Sequence, residues 1–243
     1  MPANAAPLVA GRSTPLRRRA PLAYDAVAIP VRTRLLRPGD EVAGIVAEAV
    51  RGIARPDDVV AVSETPVAIA QRRAIPAETV RPSRMAYALA RRAGALATVN
   101  QPESLQLVID DVGVWRVIAA ALAHAAGRAL RFRGAFYRVL GPAVAAIDGY
   151  TGTLPPFEHT IVLGPANPDE VARRIATCTG TAAAIVDAND LTAARVLGAS
   201  PGVARAAVAA ALATNPHGNG DEQTPVVVLA WRGAGASPYR GAG

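Results

Sequence analysis

Two acids stand where an apolar run gives out. Ala145-Ala146-Ile147-Asp148-Gly149 puts Asp148 just beyond one such run, and Ile185-Val186-Asp187-Ala188-Asn189-Asp190 does the same for Asp187. Carboxylates at the ends of neighbouring strands converge readily, and a convergent pair suits Mg²⁺ or Mn²⁺, hard cations that keep waters and bridge to substrate phosphates. The same residues would serve equally as turn or helix caps, since Asp is a common turn residue. A third segment, Pro216-His217-Gly218-Asn219-Gly220-Asp221-Glu222-Gln223-Thr224-Pro225, gathers glycines, two acids, amides and a hydroxyl before a final apolar run. Glycine there permits positive φ and close approach of backbone to a ligand. An ordinary connecting loop has similar composition. There is no Walker-type phosphate loop, no dinucleotide glycine fingerprint and no Ser-His-Asp spacing.

These residues need strands and helices to position them. Asp40 is placed to cap a helix over Glu41–Ile53, with Val42, Ile45, Val46, Val50 and Ile53 on one face. Pro56-Asp57-Asp58 turns into a buried strand, Val59–Ser63. Ser83 caps a helix through Arg92, Ser104–Asp110 is ambiguous, and Val114–Leu130 is helical until Gly127. Phe136–Leu140 and Ala143–Ile147 read as a hairpin around Gly141-Pro142. Ile161–Leu163 is a strand. Asn167-Pro168-Asp169-Glu170 combines a cap, Pro at the first position and acids at the positive dipole end, so it starts a helix that runs to Thr179-Gly180. Ala182–Val186 is a strand ending at Asp187. Ser200-Pro201 opens a further helix ending near Asn215-Pro216, and Pro225–Ala230 is the last strand. The alternation predicts an α/β (α+β) fold, mixed sheets with packed helices, whose strand order the pattern leaves open. Residues 1–22 and 231–243 read as mobile tails, leaving one domain over 23–230.

Composition narrows the function classes. The chain has 243 residues, 51% hydrophobic, 19% charged and only 4% aromatic, so Ala, Val, Leu and Ile must fill the core. The net charge of +7 is carried by scattered Arg. Stacking aromatics interleaved with basic patches are missing, which argues against a nucleic-acid partner. Arg suits capture of an anionic small molecule by paired N–H groups. The single Cys178 excludes an intramolecular disulfide and is expected to be a small buried or semi-buried helix residue. The most apolar run, Val117–Leu130, is interrupted and falls short of the roughly 20 residues of a membrane span. No secretory signal is evident, and a cytoplasmic setting is expected.

At these segments the chain resembles the coenzyme F-420-0:L-glutamate ligase (γ-glutamyl ligase) family. The resemblance runs through Leu35-Leu36-Arg37-Pro38-Gly39-Asp40-Glu41, Asp57–Ser63, Ala68–Arg73 and Arg81-Pro82-Ser83-Arg84. It continues through Ile147-Asp148, Leu154-Pro155-Pro156, the Pro168 helix, Ile185–Asn189, and Gly218-Asn219-Gly220 before Pro225–Val228. It implies the γ-glutamyl ligase-like fold in an intertwined homodimer, with GTP, L-glutamate and a deazaflavin-type carboxylate as substrates. It also implies Mg²⁺ or Mn²⁺ held by Asp148 and Asp187, with Asn189, Gly218 and Gly220 near nucleotide or substrate. Around Val144–Thr151 and Asp187–Leu191 the family's Asn, Ser, Thr, Gly and Arg are replaced. The alternative is therefore a non-catalytic or repurposed member that binds a nucleotide or anionic small molecule without γ-glutamyl ligation.

Overall fold

The structure, a computed structural model, describes residues 26–92, 100–129, 139–140, 156–157, 159–188, 194–218 and 223–231. Its main body is a five-stranded mixed sheet. The strands are β1 (Ala26–Val31), β2 (Val59–Ser63), β5 (Ala182–Asp187), β6 (Arg195–Ala199) and β7 (Val226–Trp231), in the spatial order β1-β7-β2-β5-β6. Only β2 and β5 run parallel; β1–β7, β2–β7 and β5–β6 are antiparallel.

Helices cover both faces, and the side-chain alternation of a strand explains why. From β2, β5 and β7, Val60, Val62, Ala183, Ile185, Val226 and Val228 face a core shared with α1 (Val42–Val50) and α6 (Pro168–Thr179). The intervening Val59, Ala61, Ala182, Ala184, Val186, Val227 and Leu229 face α7 (Arg205–Ala211). The central strands are apolar on both sides because both sides are covered.

A second, helical region follows β2. It comprises α2 (Glu64–Ala70), a short strand β3 (Ala74–Pro76), α3 (Arg84–Ala90), α4 (Pro102–Val112) and α5 (Val114–Ala129). The strand β4 (Thr160–Val162) pairs antiparallel with β3. Leu105, Val108, Val117, Ala120, Leu140 and Ile161 form its core.

The α/β character expected from the pattern is present, and β2, β5 and β7 lie where the apolar runs end in acids or follow turns. Several local expectations change. Glu41, not Asp40, caps α1, its carboxylate accepting from the N–H groups of Ala43 and Gly44 at 3.2 and 2.6 Å. Asp40 is drawn into the preceding turn by the Arg34 guanidinium (2.7 and 2.9 Å) and the Arg37 N–H, which hold its carboxyl down at about 2. The helix ends at Val50, leaving Ile53 exposed.

Asn167 lies in the left-handed region (φ 46°) and its side chain does not cap α6; its carbonyl accepts from Glu170 and Val171 instead. Ser200 does not open a helix. Its hydroxyl accepts from the Ala183 N–H at 3.0 Å and its own N–H reaches the Ala183 carbonyl, so it extends the β5–β6 pairing, and α7 begins five residues later. Val139 and Leu140 are helical rather than extended, and the rest of the expected hairpin lies outside the described residues. The N-terminal tail and all of 231–243 except Trp231, which pairs with Ala26 at the end of β7, also lie outside them. Cys178 is exposed. No helix among the described residues is long and apolar enough to cross a membrane.

Candidate functional site

The topology collects chemistry-bearing residues along one sheet edge. The parallel strands β2 and β5 both end there, at Ser63 and Asp187. The antiparallel β7 and β6 begin there, at Val226 and Arg195, and β1 ends there at Val31. In open α/β sheets the crevice beyond the carboxyl ends of parallel strands is the usual ligand site.

Asp187 is the last residue of β5 and sits opposite Arg195 in the antiparallel register. Arg195 donates to its Oδ2 from Nε at 3.1 Å and from Nη2 at 2.8 Å. The Asp187 side chain is 17% exposed and that of Arg195 43%. On the neighbouring strand, Glu64 follows the Ser63–Val186 pair by one residue and is buried in the first turn of α2. Asp187 thus ends β5, and Glu64, the first residue of α2, follows the end of the neighbouring β2. Oxygen donors of this kind suit a hard cation. Among the described residues, however, no group of three or more His, Cys, Asp or Glu gathers as a complete metal shell.

On the other side of β2, the loop before β7 is drawn together at its base. Thr224 Oγ1 donates to the His217 carbonyl at 2.6 Å, and His217 Nδ1 donates to the Thr224 carbonyl at 3.2 Å. That bond assigns the ring proton to Nδ1 and leaves Nε2 as an acceptor, buried without a partner. His217 is 7% exposed, and its burial lowers the imidazole pKa while the bond to Thr224 opposes the shift. Gly218 has φ 78°, the conformation glycine tolerates. The loop joins the sheet through Gln223, whose carbonyl accepts from Thr33 N–H, and Pro225, whose carbonyl accepts from Ser63 N–H.

Of the five residues singled out from the sequence, Asp187 and Gly218 are thus on the same edge, with β2 between their strands. Asp148, Asn189 and Gly220 lie outside the described residues. Sequence reading missed Arg195 and Glu64; it singled out the Pro216–Pro225 loop, but not the His217–Thr224 pairing at its base. Arg195 opens a strand whose apolar run is interrupted by Gly198. The pairing register is the signal that brings it to Asp187.

Two further features frame the edge. Gln71 grips the backbone of Ala166 through both ends of its amide, at 2.9 and 2.7 Å, and Arg73 Nε donates to the Gly164 carbonyl at 2.6 Å. These bonds tie the turn after α2 to the segment entering α6. Away from the sheet edge, a groove of about 350 Å³ between α1 and α6 is lined by Glu41, Glu170, Arg173, Arg174 and Cys178 among others. Its two guanidiniums both pair with Glu170, so its charge is largely balanced within its own wall.

Residues 30–126, from the end of β1 through most of α5, match the family described as F420-0:Gamma-glutamyl ligase. No curated protein matches the chain. This match, over less than half of the 243 residues, supports a relation to the F420-0 γ-glutamyl ligase family. Asp148, Asp187, Asn189, Gly218 and Gly220 all lie beyond the matched segment.

Proposed function

We propose that the protein is a GTP- and divalent-metal-dependent amide ligase that joins L-glutamate to a deazaflavin-type carboxylate. The family match over residues 30–126 carries this reading. The acidic end of β5 supports it. A carboxylate oxygen of the acceptor would attack the γ-phosphorus of GTP, with GDP leaving, to give an acyl phosphate. The glutamate amine would then attack the carbonyl carbon. The phosphate departs with the C–O bonding pair, and the nitrogen loses its proton.

Asp187, together with Asp148, would hold Mg²⁺ or Mn²⁺, which when bound neutralises charge on the transferring phosphate. The half-buried Asp187 and the buried Glu64 would shield the edge from bulk water and leave oxygen acceptors on its floor. Gly218, at positive φ, would let backbone N–H groups approach nucleotide or substrate; Asn189 and Gly220 are proposed for the same role. The working unit would be a cytoplasmic homodimer.

The test is incubation of the full chain with GTP, Mn²⁺, glutamate and the deazaflavin acceptor, reading glutamylated product by mass spectrometry. Product and stoichiometric GDP are expected, both lost in Asp187→Asn. Neither product nor GDP with a folded wild type would sink the ligase reading. A second reading, binding of a nucleotide or anionic small molecule without ligation, is favoured by the Asp187–Arg195 pair, which already engages a carboxylate the reaction would need. GTP affinity by calorimetry without any turnover would select it.

A further inference from the structure

The outer face of α5 is apolar along most of the helix. Trp115, Ala119, Leu122 and Ala126 follow one another at spacings of four, three and four residues, which sets them on one side. All four are exposed, Trp115 at 80% and Leu122 at 67%, while Val117 and Ala120 on the other side enter the helical core. A contiguous apolar patch carrying a bare tryptophan marks an interaction surface. The order of sizes says what fits it. Laid antiparallel against itself, about a two-fold axis midway between Ala120 and Ala121, the face sets Trp115 against the partner's Ala126 and Leu122 against the partner's Ala119. Each large side chain then lies over a small one, and the same contact is made twice, as an isologous pairing requires. Charge agrees. Asp110 and Asp111 are exposed just ahead of α5, and Arg128 is in its last turn, so an antiparallel copy brings acids to the basic end. The helix dipoles also oppose each other favourably in that arrangement. Arg116 lies about a quarter turn off the face, outside the apolar contact.

We propose that the Trp115–Ala119–Leu122–Ala126 face of α5 is a self-complementary seam through which two copies of this chain pair. The inference deepens the homodimeric reading above and rests on it, by naming the contact and its register. The four residues offer on the order of 400 Å² per protomer, about half of a standard interface, so the seam alone gives a weak, concentration-dependent dimer. Trp115 is its anchor, because a large aromatic seated over a small residue carries most of such a contact.

The experiment is sedimentation equilibrium of the full chain across the micromolar range, with each variant checked for folding by circular dichroism. Wild type is expected to dimerise, and Trp115→Ala to weaken the dimer by about thirtyfold or more, the loss of an anchor residue. Ala119→Arg and Leu122→Glu are each expected to be monomeric alone, because a charge is buried against an apolar side chain. Mixed in equal amounts they are expected to dimerise again, because positions 119 and 122 face each other across the two-fold. A wild-type dimer that all three substitutions leave intact overturns the seam and leaves the homodimer standing. Single variants that are monomeric but show no recovery on mixing overturn the antiparallel register, and the proposal with it. A wild type that stays monomeric throughout removes both the seam and the homodimer. Should a variant fail to fold, wild type labelled with fluorotryptophan decides. A concentration-dependent shift of the Trp115 fluorine resonance supports the seam, and no shift while sedimentation reports a dimer overturns it.

Discussion

The five-stranded sheet and the helical region built on α3, α4 and α5 are made from the same aliphatic alphabet but use it differently. In the sheet, Val59, Val60, Ala61, Ala183, Ala184, Ile185, Val227, Val228 and Leu229 are fully buried, sealed by helices on both faces. Among the described residues the helical region has a smaller core and leaves Met85, Tyr87, Trp115 and Leu122 exposed, Trp115 at 80% and Leu122 at 67%. Strands buried on both faces gain packing from every residue. A helix covered on one side gains it from a single stripe. Among the described residues the sheet is therefore the more fully packed region, and its edge is where acid, guanidinium and loop lie.

The sharpest way to break the sheet is at Gly198 in β6. A Cβ there would lie 2.2 Å from the Pro168 carbonyl carbon and 2.5 Å from the Asp169 nitrogen, both main-chain atoms at the start of α6. Separating them would also strain Asp169, which accepts the Ala199 N–H at 2.8 Å and pairs with Arg205. Gly198→Ala should lower unfolding stability in urea by about 3 kcal/mol or more, at the severe end of overpacking. A loss under about 1 kcal/mol would mean that β6 and α6 can move apart.

Next in size is the clamp between the two regions. Gln71→Ala strips partners from both the N–H and the carbonyl of Ala166 and should cost about 1–3 kcal/mol. Because Gln71 is part-exposed, water can take up some of the loss, and a value near the lower bound would measure how much. In the sheet core, Ile185→Val removes one methylene from a fully buried side chain and should cost about 0.5–1.5 kcal/mol. Leu122→Ala removes far more, yet on the exposed face of α5 it should stay within about 0.5 kcal/mol. Equal losses at the two positions would erase the contrast between the regions.

His217 offers a pH readout confined to the sheet edge. Its pKa in the folded chain is depressed by burial, so between the ordinary imidazole value and the folded one the unfolded chain binds more protons. Stability from the neutral ring is complete above the ordinary value near 6.5 and is lost as pH falls through the folded value. Urea midpoints measured downward from pH 7.5 should therefore fall for wild type and flatten in His217→Gln. Parallel curves would show that the ring is not the titrating group.

Much of the sheet was legible because its central strands are short apolar runs ending in turn residues: Val59–Ser63, Ala182–Asp187 and Val226–Trp231 could hardly be anything else. Helix α6 was equally legible from Pro168, Asp169, Glu170 and the left-handed Gly180 that ends it. The strands β1, β3 and β6 were not. Pro30 disguises an edge strand, β3 has three residues, and Gly198 reads as a breaker until the backbone of α6 is seen against it. For the site, the sequence placed Asp187 at a strand end and Gly218 before the last strand, because hydrophobic period and turn chemistry are local properties. Which strands lie side by side is not local. Only the tertiary structure pairs the strand that leads into Glu64 with the strand that ends at Asp187, turns Arg195 onto Asp187 Oδ2, and buries the acceptor nitrogen of His217 near the same edge. The β2–β5 pairing joins residues far apart in the chain, whereas Asp187–Arg195 and His217–Thr224 are eight and seven residues apart and meet through the folded register, which hydrophobic period does not record.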